Sequence, residues 1–333
     1  MHGPMNRRDF LRTAGVAGAA LCGAALGGCS SGGASGSAGG GDLRCRARPH
    51  PQADAWKARL ALAQGGDDPA RNVRTAIEKL CGADGVKTFV KAGDTVAIKP
   101  NIGWAQGPEM AATVDPAVVA TVVRLCLEAG AKAVKVFDNT VGMASKCYEF
   151  SGIEAAAKAA GADVFQCAPH RYRMLKFDDP RCKRLSEWLI YEDALAADVL
   201  INIPVAKVHN LSYVSLAMKN LMGVQGGDRG KMHQEIYQNL ADLNVMIRPT
   251  LNLLDATRIM VSGGPSGGKK DYVVAARTIV AATSSVTLDA WATDPLNLPW
   301  PKGHHDVAAV KCIALGAAAG LGVAEAGKIE VVA

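Results

Sequence analysis

The residues best suited to chemistry lie between Ala206 and Gly223, where the chain reads Ala206-Lys207-Val208-His209-Asn210-Leu211-Ser212-Tyr213-Val214-Ser215-Leu216-Ala217-Met218-Lys219-Asn220-Leu221-Met222-Gly223. Two lysines and an imidazole this close together supply positive charge and a proton-transfer group, which suits binding and polarising a carboxylate or phosphate. At about 100° per residue, Ser212, Ser215 and Lys219 share one sector of a helix and Leu211, Val214, Met218, Leu221 and Met222 the opposite one. The spacing therefore predicts a helix over Ser212 to Met222, with Lys207 and His209 at its N-terminal entrance, where an anion is also favoured. The alternative for the same pattern is a solvated amphipathic face.

Glycines follow from Gly223 to Gly230, leading to His233 and a helix. The stretch lacks the Lys-Ser/Thr ending of a phosphate loop, so it reads as a mobile lid or hairpin. Ser262-Gly263-Gly264-Pro265-Ser266-Gly267-Gly268 is a second flexible loop. His209 and His233 are the candidate acid/base groups beside Lys207 and Lys219, and these four make up the candidate catalytic set. With Asp255 the two histidines also offer a donor set suited to a divalent metal, although their spacing matches no tight motif. His304-His305-Asp306 reads as a surface turn after Pro301.

These residues need a scaffold. Thr95 to Lys99 is a short apolar run closed by Pro100, and Asp115-Pro116 opens a helix to Glu128 with Gly130 behind it. Ala133 to Asp138 is the next strand. Further strands are expected at Val164 to Cys167, Val199 to Ile203, Leu251 to Asp255, Thr278 to Ala282 and Ile329 to Val332. Helices are expected near Trp56 to Leu62, Lys146 to Ala160, Gln234 to Met246 and Val307 to Ala319. Repeated β-α-β units give an α/β fold: a mostly parallel sheet flanked by helices, Rossmann-like and three-layered. In such sheets ligands bind at the carboxyl ends of the strands. Lys99-Pro100-Asn101, Asp138-Asn139, Asn202 to His209 and Asp255 all fall there, so Lys99, Asn101 and Asp138 join the candidate ligand- or cofactor-binding residues.

The chain opens with Asn6-Arg7-Arg8-Asp9-Phe10-Leu11-Arg12 and an uncharged run from Thr13 to Gly28, the layout of a twin-arginine export signal. Leu26-Gly27-Gly28-Cys29 resembles a lipobox, which makes Cys29 the expected site of lipidation. Residues 30–41, nearly all Gly, Ser and Ala, form a flexible tether. The expected location is a lipid-anchored position on the periplasmic or cell-surface face of a bacterial membrane, reached through the twin-arginine translocase.

The leader takes three of the 37 basic and one of the 31 acidic residues, leaving 34 and 30. So mild an excess, with no long basic run and few aromatics, excludes nucleic-acid binding as the main role. Seven cysteines remain after Cys22 and Cys29, and none forms a C-x-x-C pair. That leaves no iron–sulfur or c-type haem motif. Cys126 sits on an apolar helical stripe, whereas Cys147, Cys167 and Cys182 lie in polar stretches and are candidates for pairing.

Together, Lys99-Pro100-Asn101, Thr113-Val114-Asp115-Pro116, the Lys207 to Gly223 block, His233, Asp255, Ser262-Gly263-Gly264-Pro265 and Asp289-Ala290 resemble the family grouped as domain of unknown function 362. The resemblance covers roughly 85–322, and the family domain is expected over 85–325 after a lead-in at 42–84. It implies that Lys99, Asn101, Lys207, His209, Lys219, Asn220, His233 and Asp255 act as one constellation, which adds Asn220 to the binding residues. Some members carry an added iron–sulfur segment that this chain lacks. The expectation is an enzyme-like domain binding an anionic small molecule or cofactor of unknown identity. The rival is a non-catalytic ligand-binding or redox-accessory lipoprotein.

Overall fold

The computed structural model describes residues 44–47, 53–304 and 306–333. The export signal, Cys29, the tether and His305 lie outside them. In chain order the main elements are α1 (Ala53–Trp56), β1 (Arg59–Gln64), α2 (Pro69–Cys81), β2 (Thr95–Pro100), α3 (Pro116–Glu128) and β3 (Ala133–Val136). Then come α4 (Ala144–Ser151), α5 (Ile153–Ala159), β4 (Asp163–Val164), β5 (Tyr172–Lys176), β6 (Glu187–Tyr191), α6 (Glu192–Ala196) and β7 (Val199–Ile203). The remainder is β8 (Val205–His209), β9 (Tyr213–Ser215), α7 (Ala217–Asn220), α8 (Ile236–Met246), β10 (Leu251–Met260), β11 (Val273–Ala282), α9 (Ser285–Thr293), α10 (Lys311–Ala318) and β12 (Glu330–Val332).

Among the described residues, ten strands form one sheet along the path β12-β1-β11-β10-β7-β2-β3-β4, with β8 paired to β10 and β9 paired to β8. The pairs β10–β7, β7–β2, β2–β3 and β3–β4 are parallel, whereas β11 runs antiparallel to both β1 and β10. The fold is therefore α/β, a mostly parallel mixed sheet flanked by helices. Successive residues of a strand face opposite sides. Accordingly Leu200 and Val280 enter one core with Met218, Leu240 and Val286, while Ile201 and Ile279 enter the other with Val73, Ile77, Val119 and Val122. Covering both faces accounts for the nearly unbroken apolar runs of the central strands.

The local signals operate as expected at α3. Asp115 accepts a hydrogen bond from Ala117 N at 2.8 Å and Pro116 occupies the first turn. Elsewhere tertiary pairing overrides local pattern. The helix expected near Trp56 to Leu62 is the short α1 followed by strand β1, because Leu60 to Gln64 pair with β11 and Arg59 to Ala61 pair with β12. The helix expected over Lys146 to Ala160 breaks at Gly152 (φ 70°). The antiparallel hairpin of β5 and β6 was not read from the sequence.

The main correction concerns Ser212 to Met222. Residues 205–215 form the hairpin of β8 and β9, with Lys207 opposite Ser215 and His209 opposite Tyr213, and the helix is only α7. Ser212 Oγ donates to Val214 O, so Ser212, Ser215 and Lys219 do not share a helical face. The glycine-rich segment also differs from expectation. Leu221 to Gly226 is buried, Gln225 bridges Ile190, and Trp188 Nε1 donates to Gly226 O at 3.0 Å. The first half of the segment is thus a packed seam, whereas Gly227, Asp228 and Gly230 are exposed. Cys147, Cys167 and Cys182 are free thiols, and Cys126 is a buried core residue. His304 stacks on Trp300 at 4.4 Å. No helix among the described residues is long and apolar enough to cross a membrane.

Candidate functional site

The carboxyl end of β2 delivers the first two groups, Lys99 on the strand and Asn101 just after it, whose N–H still donates to Ile203 O at 3.1 Å. Lys99 is 1% exposed. Its Nζ lies 3.0 Å from Asp138 Oδ1 and donates to Asn220 Oδ1 at 2.7 Å. Asp138 follows β3, and its second oxygen accepts Ile102 N at 2.7 Å. Gly223 is glycine for a steric reason: a Cβ there would collide with Asp138 Oδ1 and Lys99 Cε and lie 2.6 Å from Lys99 Nζ. The lysine–aspartate pair thus fills the volume that a side chain at 223 would need.

Lys207 reaches the same place from β8. Its Nζ donates to Ala112 O at 2.5 Å and to Asn101 Oδ1 at 3.3 Å, while Asn101 Nδ2 donates to Asn220 Oδ1 at 3.1 Å. Lys219, on α7, is half-buried and has Met222 Sδ at 3.6 Å as its side-chain neighbour. Arg229 enters from the glycine-rich segment and donates to the carbonyls of Asn139 and Thr140 at 2.6 and 2.5 Å.

Four basic side chains therefore lie within electrostatic reach of one another, and Asp138 is the carboxylate that acts on Lys99, Lys207 and Arg229. Burial, then Lys219 and Lys99, brings Lys207 down to about 7. Burial, then Arg229, brings Lys219 down to about 8. Burial also pulls down Lys99 against the opposing attraction of Asp138, and it pulls down Arg229. Desolvation disfavours the charged form, and each like charge adds to it.

The histidines behave differently. His209 Nδ1 accepts from Leu211 N at 3.0 Å and Ser212 N at 3.3 Å. A nitrogen accepting two backbone N–H groups carries no proton, so the tautomer assigned by its partners holds the hydrogen on Nε2. Burial, Lys219, His233 and Lys207 hold its pKa well below the usual imidazole range. His209 is thus a neutral N–H donor. Burial followed by Lys219 sets His233 at about 4, so it too is neutral at pH 7.

Asp255 stands apart in role. Its carboxylate accepts from Asp115 N at 2.7 Å, Thr257 N at 2.9 Å and Thr257 Oγ1 at 2.7 Å, tying β10 to the cap of α3. Among the described residues no three His, Cys, Asp or Glu side chains gather as a metal-binding group. The structure thus does not draw Asp255 together with His209 and His233.

Three residues of the site carried no assigned role in the sequence reading. Arg229 was hidden in a stretch read as flexible. Asn202 appeared only as the start of a strand-end run. Asp289, on α9, accepts from Ala217 N at 2.7 Å and Met218 N at 2.9 Å, clamping the start of α7 and so aiming Lys219 and Asn220. Burial raises Asp289 from the ordinary carboxylate range to about 7.

The family described as Domain of unknown function (DUF362) matches residues 96–294, a span that holds every group of this site. The chain is a DUF362 protein. A twin-arginine translocation pathway signal sequence matches residues 4–27, so this DUF362 protein is exported across a membrane. It is 30% identical over 238 residues to a thylakoid-associated protein of Synechocystis, covering 68% of this chain and 71% of that one. Among solved structures it is similar to a Thermotoga maritima protein, with 12% identity, a TM-score of 0.38, and 62% of this chain and 54% of that chain covered. It is also similar to the lactate racemase apoprotein of Thermoanaerobacterium thermosaccharolyticum, with 10% identity, a TM-score of 0.39, and 68% and 55% covered. The DUF362 chain spans about half the length of these solved chains.

Proposed function

We propose that this DUF362 protein binds a small oxyanion, a carboxylate or phosphate, among Lys99, Lys207, Lys219, Arg229 and His209. The observation that carries the reading is a buried or half-buried group of four basic side chains, Lys99, Lys207, Lys219 and Arg229, within electrostatic reach of one another, with Asp138 the carboxylate that acts on Lys99, Lys207 and Arg229. Burying unbalanced like charges is costly, and a bound anion removes that cost. His209 adds a neutral Nε2–H donor, which suits an oxygen of the ligand rather than proton exchange. Lys207 and Lys219, whose pKa values of about 7 and 8 fall near neutrality, are the groups suited to moving a proton if the site is catalytic.

Titrating inorganic phosphate and small carboxylates into the protein by calorimetry tests this reading. Lys207→Ala and Lys219→Ala should each weaken binding at least about tenfold, as expected for a lost charge-assisted hydrogen bond, with unchanged far-UV circular dichroism. Undiminished binding in both would overturn it.

The exported protein is further proposed to be held at the membrane by lipid on Cys29, with the domain on the periplasmic or cell-surface side. The lipobox-like residues preceding Cys29 and the thylakoid association in the name of the Synechocystis relative support this placement. Cys29→Ser should move the protein from the membrane to the soluble fraction after cell lysis.

A further inference from the structure

Behind Lys99 a row of buried asparagines crosses the sheet. Lys99 Nζ donates to Asn220 Oδ1 at 2.7 Å; Asn220 Nδ2 donates to Asn202 Oδ1 at 2.8 Å. Asn202 Nδ2 donates in turn to Asn252 Oδ1 at 2.9 Å, and Asn252 Nδ2 to Thr283 O at 3.3 Å. Asn220 is 3% exposed, and Asn202 and Asn252 are 0% exposed. They belong to α7, β7 and β10, and Asn202 and Asn252 are direct partners in the parallel register.

The direction of the row is fixed by chemistry at both ends. An ammonium group has donors and no acceptor, so Asn220 must present oxygen to Lys99 and its NH₂ to Asn202. At the far end Thr283 offers a carbonyl, so Asn252 must present its NH₂ there and its oxygen to Asn202. Two further bonds agree with this sense: Asn202 Nδ2 also donates to Ala217 O at 3.0 Å, and Ser285 Oγ donates to Asn252 Oδ1 at 3.0 Å. All three amides therefore point their negative ends toward Lys99.

We infer that Asn220, Asn202 and Asn252 form a head-to-tail chain of amide dipoles that holds Lys99 charged and aimed at the anion site, which makes Asn202 and Asn252 positioning residues for that site. Hydrogen bonds in a row polarise one another, so the remote amides strengthen the bond at the lysine. The choice of amide rather than carboxylate follows from the task. A second acid beside Asp138 would neutralise the cluster and repel the ligand, whereas an oriented amide stabilises a cation without cancelling its charge. The part of this inference that concerns the anion rests on the proposed oxyanion site.

The test reads the ionisation of Lys99 directly, through the pH dependence of its ¹³Cε resonance in the full chain. The charged and titratable groups acting on Lys99 are Asp138 after β3, Cys167 after β4, Lys207 on β8, Lys219 on α7 and Arg229. All are unaltered in the variants. Asn252→Leu, which ends the chain, should lower the Lys99 midpoint by about half a pH unit, and Asn252→Asp, which places a full charge at the same end, should raise it. Shifts of opposite sign separate this role from simple loss of packing. Phosphate affinity measured on the same samples at a pH above both Lys99 midpoints should fall about threefold in Asn252→Leu, the half unit converted.

In the wild-type protein, the side-chain amide ¹⁵N resonances of Asn220, Asn202 and Asn252 should move with the midpoint of Lys99. That measurement decides the matter alone if neither variant folds. An unmoved Lys99 midpoint in both folded variants, or wild-type amides indifferent to Lys99, overturns the inference. If Lys99 shifts as expected while phosphate binds to no version, the dipole chain stands and the oxyanion reading falls. If phosphate binds and Lys99 is unmoved, the reverse holds.

Discussion

Lys207 and Lys219 are ordinary residues in an unusual place, and their pKa values of about 7 and 8 have an observable consequence. Between these values and the usual lysine range near 10.4, the unfolded chain keeps protons that the folded chain has released. Stability of the empty protein should therefore rise with pH across that window. An anion that restores their charge must bring protons with it. Calorimetric titration of phosphate at pH 8 in buffers of different ionisation enthalpy should reveal net proton uptake, and Lys219→Met should reduce it. At this scale the sequence was informative about residue type: Lys99, Asn101, Asp138, Lys207 and Asn220 do come together, with Lys219 in electrostatic reach, because α7 packs against the carboxyl ends of the central strands. The roles of the histidines were not legible, since the tautomer of His209 depends on two backbone N–H groups that only the turn at 210–212 supplies.

Element α7 is four residues long, too short to be stable by itself. The carboxylate of Asp289 replaces the missing acceptors for its first N–H groups. Asp289→Ala should cost about 1–3 kcal/mol for each of the two N–H groups left buried, seen as a lower urea midpoint. Because the folded carboxyl has a pKa of about 7, it retains a proton between pH 4 and 7 that the unfolded chain has lost. Its contribution therefore makes stability fall as pH rises through that range, and Asp289→Asn should flatten this limb of the profile. The misread helix at Ser212 to Met222 belongs to the same scale. Leu211, Val214, Met218 and Leu221 have helical spacing, yet Lys207-Val208-His209 and Tyr213-Val214-Ser215 also alternate polar and apolar around a short turn. The alternation prevailed because β8 can pair with both β10 and β9. No local propensity encodes that neighbour.

At the scale of the whole molecule, the class of fold was readable from strand–helix alternation, and the order of strands was not. Strand β1 lies between β11 and β12, and its register is set by residues more than two hundred positions away, such as Ala282 opposite Leu60. Its parallel partner β12 aligns Glu330 with Arg59, whose Nε is 3.5 Å from the Glu330 carboxylate. Removing residues 330–333 should expose the edge of β1 and lower stability by roughly 1–3 kcal/mol, measured by urea denaturation, while leaving phosphate binding intact because the lysine cluster sits on β2 and β8, which do not pair with β12 or β1.

The pairing of β1 with β12 also orders events in time. Strand β1 is made more than two hundred residues before Glu330–Val332, and the sheet cannot close between them until both are free of the ribosome. Contacts of such long sequence separation form slowly. A route that threads unfolded chain during synthesis would separate these two strands across the membrane; a translocase that accepts finished domains does not. The twin-arginine leader thus suits a topology in which β1 and β12, far apart along the chain, must meet on the same side before departure.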